Sequence, residues 1–147
     1  AFLPASKLLF SCFHWDNSFR VTHGETCRLL QTVIEHQEIV TCLALASDLC
    51  KHWLLTGSED STIMVWSVRP ENLDFPIDPV PLYTIHGHDN TVNCIAVNAE
   101  IDIIVSLPSY IEDMCLAHKV AQRGIQSRHQ ASQTTKYNFG RKSRNHE

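Results

Sequence analysis

The sequence predicts an all-β chain built from repeated units, and two alignments of the chain with itself carry that prediction. Leu29–Leu45, "LLQTVIEHQEIVTCLAL", aligns without a gap on Pro81–Val97, "PLYTIHGHDNTVNCIAV", at an offset of 52. Leu30/Leu82, Thr32/Thr84, His36/His88, Val40/Val92, Cys42/Cys94 and Ala44/Ala96 are identical. Leu9–Thr22, "LFSCFHWDNSFRVT", aligns on Trp53–Trp66, "WLLTGSEDSTIMVW", at an offset of 44, with Asp16 on Asp60 and Val21 on Val65. Repetition at this spacing is the mark of architectures whose units bury a continuous core by stacking.

The elements follow in order. An apolar run at 8–12, a polar turn holding Asp16 and Asn17, and the run 17–22 read as a hairpin, with Phe19 and Val21 entering one face of the second strand. Trp15 belongs to the turn, and the position that aligns with Trp66 is Thr22. Strands near 28–34 and 39–45 come next, the second placing Val40, Cys42 and Ala44 at alternate positions on one face. A helix through "IVTCLALASDLCKHWLL" competes here, because Ile39, Leu43, Ala46, Cys50 and Trp53 have passable helical spacing. The second copy decides against it, since "NAEIDIIVS" keeps β-branched residues where a helix favours Ala, Leu or Lys. A second hairpin spans 53–57 and 62–67, and "SVRPENLDFPIDPVP", with four prolines, is a surface loop. Strands near 82–86, 91–97 and 102–106 complete nine.

His36, Asp60, Trp66 and a hydroxyl such as Thr56 or Ser58 could suggest a hydroxyl–His–Asp triad. A structural network is preferred, because the units resemble WD-repeat blades and that resemblance implies a turn aspartate accepting from the histidine, which reaches the strand hydroxyl, which meets the tryptophan N–H, so that buried polar groups partner one another. Asp16 and His88 are the corresponding residues of the neighbouring units. "HGH", His86–His88, is weak as a metal site because two histidines lack a third ligand nearby in sequence. The six cysteines form no C-x-x-C pair, and Cys42 and Cys94 fall at repeat-related core positions, so they read as reduced, small hydrophobes. No phosphate loop or nucleophile elbow occurs. The prediction is therefore no enzyme and no cofactor.

The net charge of −4 hides an asymmetry: residues 1–106 carry 5 Lys/Arg against 13 Asp/Glu, and residues 107–147 carry 7 against 3. The acidic part argues against nucleic acid as a partner, which needs excess Lys and Arg. No apolar run is long enough to span a bilayer. The division predicts a repeat segment over 1–106 and a basic, poorly ordered tail over 107–147, outside the repeat and attributable to an alternative exon, a retained intron or a frame shift. Within the tail, "YIEDMCLAHKVAQ" has the spacing of a short amphipathic helix, and Pro108 interrupts the hairpin that the repeat would place there.

Units of this length, with Gly-His near the start and Trp near the end, resemble WD-repeat β-propeller blades. The middle unit shows this best, from Glu35-His36 through "LLTGSEDSTIMVWS" to Gly87-His88; it departs in Glu35 before the His and Ser67 after the Trp. The wording of "LLFSCFHWDNSFRVT", "IVTCLAL", "LLTGSEDSTIMVW" and "GHDNTVNCIAVNAEIDIIVS" further resembles the carboxy-terminal propeller of BEACH-domain proteins, the neurobeachin group above all. The resemblance implies an incomplete propeller of about two blades and part of a third. For a parent protein it implies a cytoplasmic, peripherally membrane-associated scaffold in vesicle trafficking, with a protein kinase A link in neurobeachin itself. Other proteins would bind through blade edges and loops such as Arg69–Pro81. Two blades leave sheet edges open, so the chain alone is expected to be marginally stable and prone to association.

Overall fold

The computed structural model describes residues 1–48, 51–98, 103–108, 115–119 and 133–137. They form three four-stranded antiparallel sheets in chain order. The first holds β1 (Phe2–Leu3), β2 (Leu8–Ser11), β3 (Ser18–His23) and β4 (Leu29–Ile34). The second holds β5 (Val40–Ser47), β6 (His52–Ser58), β7 (Ile63–Val68) and β8 (Tyr83–Ile85). The third holds β9 (Val92–Asn98), β10 (Ile103–Pro108), β11 (Cys115–Lys119) and β12 (Gln133–Tyr137). All nine predicted strands are present within a residue or two at their ends. The helical alternative at 39–53 is excluded by β5, which pairs along its length with β6.

Each sheet is a blade, and two apolar seams join the three. The first collects Leu8, Phe10, Phe19 and Val21 of the first blade with Val40, Leu54, Met64, Trp66 and Val68 of the second. The second collects Leu55, Ile63 and Val65 of the second blade with Val92, Ile95 and Ile104 of the third. This explains the texture of the sequence. The middle blade is covered on both sides, so "IMVW" is apolar at consecutive positions; the first blade is covered on one side, so β2 alternates, with Leu8 and Phe10 buried and Leu9 exposed.

Two registers differ from the sequence expectation. Val40, Cys42 and Ala44 do not share a face: a β-bulge between Val40 and Cys42 turns Val40 into the first seam while Cys42 and Ala44 pack on the second. The bulged Thr41 directs its hydroxyl at the carbonyls of Gly57 (3.1 Å) and Val92, tying blade to blade. The 44-residue offset also holds only for the second strand of the hairpin. Pairing sets Leu9 opposite Thr22 and Leu54 opposite Trp66, so β2 matches β6 at an offset of 45 and the turn after β2 has one residue more.

The third sheet replaces the short helix expected in the tail with a strand. Cys115–Lys119, inside the predicted amphipathic helix, is a strand paired on both sides, with β10 and β12; the remainder of that window lies outside the described residues. Backbone pairing in a sheet overrides a weak helical period. Strand β10 passes residue 106 and ends on Pro108, opposite Val92, at a register shift after Leu107. β11 pairs only as far as Ser106, so the missing N–H of Pro108 costs no bond on that side. The charge boundary therefore falls within a strand, and the third blade has four strands.

The Pro-rich loop is anchored in the fold. Ile77 is fully buried in the first seam, and the Gln31 amide clamps its backbone, Nε2 donating to the Ile77 carbonyl and Oε1 accepting from its N–H, both at 2.9 Å. Leu73, Phe75 and Val80 remain exposed. Gln31→Ala is expected to cost about 1–3 kcal/mol, because it strips two backbone groups of their partners. It should also open Arg69–Pro81 to limited proteolysis; unchanged cleavage kinetics would show that Ile77 alone holds the loop.

Candidate functional site

A buried polar cluster in the middle blade is built from four elements. The connection after β4 supplies His36, β6 supplies Thr56, the β6–β7 turn supplies Asp60, and β7 supplies Trp66. His36 Nδ1 lies 2.9 Å from Asp60 Oδ2 and His36 Nε2 lies 2.7 Å from Thr56 Oγ1, while Trp66 Nε1 donates to Thr56 Oγ1 at 3.0 Å. A carboxylate only accepts, so Nδ1 carries the proton. Thr56 Oγ1 is shared between His36 Nε2 and the indole N–H that donates to it. The bonds form one continuous chain from Trp66 to Asp60.

Asp60 has two jobs. Its Oδ1 accepts from Thr62 N (2.9 Å) and Thr62 Oγ1 (2.6 Å), closing the turn, and its Oδ2 accepts from Gln37 N (3.0 Å) as well as from His36. Burial pushes the Asp60 pKa up, but the hydrogen bonds from Thr62 and His36 outweigh it and hold the carboxyl below its ordinary value of 3.8. A carboxylate with a depressed folded-state pKa contributes stability that is present above the unfolded value and lost as pH falls through the folded one. Thermal melts from pH 5 downward should therefore fall most steeply below 3.8, and Asp60→Asn should flatten that limb. An acid limb unchanged in the variant would show that the turn carries no charge-dependent stability.

The other residues singled out from sequence repeat parts of this arrangement. Asp16 closes the first blade's turn as Asp60 does, accepting from Ser18 N (3.2 Å) and Ser18 Oγ (2.5 Å); its Oδ2 is taken by Arg20 Nη2 at 3.0 Å in place of a histidine. The Ser18 and Arg20 hydrogen bonds hold its pKa at about 2. His88 Nε2 lies 2.6 Å from Ser106 Oγ, the third blade's version of the His36–Thr56 bond. Asp16 and His88 thus stand in separate blades and do not join the His36 cluster.

Sequence reasoning missed Ser11, Arg20 and Ser106. Ser106 is hidden by a shorter connection: Leu43 carried forward by the 52-residue repeat gives Ile95, whose partner is Ser106, whereas Thr56 carried by the same offset gives Pro108. Ser11, which bonds His14 Nε2 at 3.1 Å, takes the place of Thr56 only once the extra turn residue is known. Arg20 has no counterpart signal, because Met64 occupies the aligned position.

Among the described residues, no group of three or more His, Cys, Asp and Glu could hold a metal, and His86 is exposed while His88 turns to Ser106. Cys12, Cys27, Cys42 and Cys94 are free thiols. Burial pushes the Cys42 pKa up to about 11 and raises that of Cys12, leaving both as unreactive thiols. No helix of the described residues is long and apolar enough to cross a membrane.

The pattern of blades, turn aspartates and inter-strand histidines has counterparts in known proteins. A family model described as the neurobeachin beta propeller domain matches residues 2–138, a span that runs across the charge boundary at 106. BEACH domain-containing protein B of Arabidopsis thaliana is 32% identical over 119 residues, covering 71% of this chain. BEACH domain-containing protein lvsE of Dictyostelium discoideum is 36% identical over 109 residues, covering 72%. A neurobeachin homolog of Caenorhabditis elegans is 31% identical over 113 residues, covering 69%. The chain spans 4% or 5% of the length of these relatives. Three four-stranded blades joined by apolar seams, matched over nearly their whole extent, place this chain in the neurobeachin β-propeller family.

Proposed function

We propose that this chain is a non-catalytic protein-interaction segment of a BEACH-type scaffold, serving vesicle trafficking in a longer parent. One observation carries the non-catalytic part. The Thr56–His36–Asp60 distances are those of a catalytic triad, but Thr56 is fully buried, and its oxygen is already bonded to the Trp66 indole. A nucleophile must meet its substrate, and this hydroxyl has neither solvent access nor a free lone pair facing a cleft. The cluster fastens the turn and the entering loop to the blade, and the exposed loops are left to bind.

The trafficking part rests on the BEACH-domain proteins that the chain is similar to, and interaction through blade edges and loops follows from the fold. The test compares His36→Ala and Thr56→Val with the unaltered chain in thermal melts and a hydrolase screen. Both variants should melt earlier, with no turnover in any of the three proteins. A hydrolytic activity present in the chain and lost in a still-folded Thr56→Val would overturn the reading. For the scaffold role, a full-length parent lacking this segment should lose partners from vesicle membranes, and an unchanged partner set would contradict it.

A further inference from the structure

Besides Leu29 and Ile34 on β4, the exposed apolar residues of the first blade fall into two groups. Leu9 is the counterpart of Leu54, which the middle blade buries completely against its neighbour, and Phe2 lies opposite Leu9 on β1. Their side of the blade is a seam for another blade. Phe13 and Trp15 differ: they sit in the turn between β2 and β3, 67% and 93% exposed. Trp15 corresponds to Glu59 of the next blade's turn, and Glu59 stays exposed although the blade and connecting loop beside it are both in place. The position therefore faces outward in a stacked blade, and Phe13 belongs to the longer turn of this blade.

The turn is held firmly for one that presents two aromatics. Phe13 N donates to Val40 O at 2.9 Å and Asn17 N to His14 O at 3.1 Å, Asn17 Nδ2 donates to Gln37 O at 2.8 Å, and Ser11 bonds His14. Phe13 and Asn17 adopt φ values of 65° and 59°, so the turn is also fixed in a conformation that non-glycine residues rarely take. An aromatic ordered before binding loses little entropy on docking.

The surroundings define what would dock. The same end of the blades carries exposed Glu35, Glu38 and Glu59, brought there by the Asn17–Gln37 bond and by Glu59 N donating to Ile39 O at 3.0 Å. The cation among these neighbours, Arg20, is paired with Asp16. Lys7, Arg28, Lys51 and Arg69 all lie at the opposite strand ends.

We propose that the Phe13–Trp15 tip is a docking anchor for a basic peptide segment of a partner protein. A guanidinium or ammonium group stacks on the Trp15 ring, and neighbouring cations face Glu35, Glu38 and Glu59. Acidic surroundings disfavour an anionic membrane or a nucleic acid at the same place. The proposal rests on the interaction-module reading above and names the partner's chemistry.

The full chain would be titrated with a fluorescently labelled peptide of alternating Arg and Leu, followed by anisotropy at low and high salt. Trp15→Ala should weaken binding on the order of tenfold or more, Trp15→Phe should retain most of it, and melting temperatures should not move. Glu38→Lys with Glu59→Lys should weaken binding and flatten its salt dependence. Absence of binding, equal binding of a peptide with Glu in place of Arg, indifference to Trp15→Ala, or preferential binding of anionic vesicles would each overturn the proposal. If the parent still recruits its partners with Trp15→Ala in place, the anchor fails while the scaffold reading stands.

Discussion

Trp66→Ala should destabilise the chain by about 3–5 kcal/mol, the range for removing a fully buried large aromatic. Trp66 has no exposed surface and packs edge-on against Phe19 of the first blade, with ring centroids 5.2 Å apart and planes at 61°. Its loss opens a cavity in the first seam and leaves the Thr56 hydroxyl without its indole donor. Trp66→Phe separates the two contributions. It keeps a ring against Phe19 and removes the N–H, and should cost roughly 1–2 kcal/mol through the lost bond and the smaller volume. Denaturant melts of both variants decide the matter. A Trp66→Ala protein as stable as the parent would mean that the first two blades do not depend on this seam.

Gly57→Ala is the second large effect, and its cause is the opposite one. A Cβ on Gly57 would lie 2.7 Å from Cys42 Sγ and 2.8 Å from Val92 Cγ1, closer than real contacts allow, and a tight 3.0 Å from Ile95 Cδ1. Overpacking of this kind costs about 1–3 kcal/mol. The glycine stands where the inner strand of the third blade closes on the second, with Thr41 reaching to the Val92 carbonyl alongside. The clash has identified partners, so Cys42→Ala and Val92→Ala together should recover part of the stability lost by Gly57→Ala. Additive losses in the triple variant would show that the close approach is not what makes glycine necessary.

The polar cluster was suggested by the likeness to WD-repeat blades, and a local rule supports its turn aspartate. An aspartate in a tight turn accepts from the residue two places on, as Asp16 does from Ser18 and Asp60 from Thr62. A buried histidine and tryptophan need partners, and the repeat supplied them at matching distances along the chain. Ser11 was hidden by a single extra residue in the turn after β2, which leaves the turn aspartates aligned and shifts the strand before them. Arg20 was hidden because it replaces His36's role at Asp16 from a different element altogether.

The sequence by itself determined nine of the strands, their hairpins, the turn aspartates and the family, since these depend on patterns a few residues long that recur along the chain. Only the tertiary structure decided which face each strand turns to which neighbour. Val40 and Cys42 look equivalent in the sequence yet enter different seams, because a bulge at Thr41 reverses the alternation, and nothing local marks it. The same holds for Cys115–Lys119: its side-chain spacing favours a weak helix, but free edges of β10 and β12 offer it paired hydrogen bonds on both sides. Such choices turn on partners far away in sequence, whose backbone groups must be satisfied wherever the chain is buried.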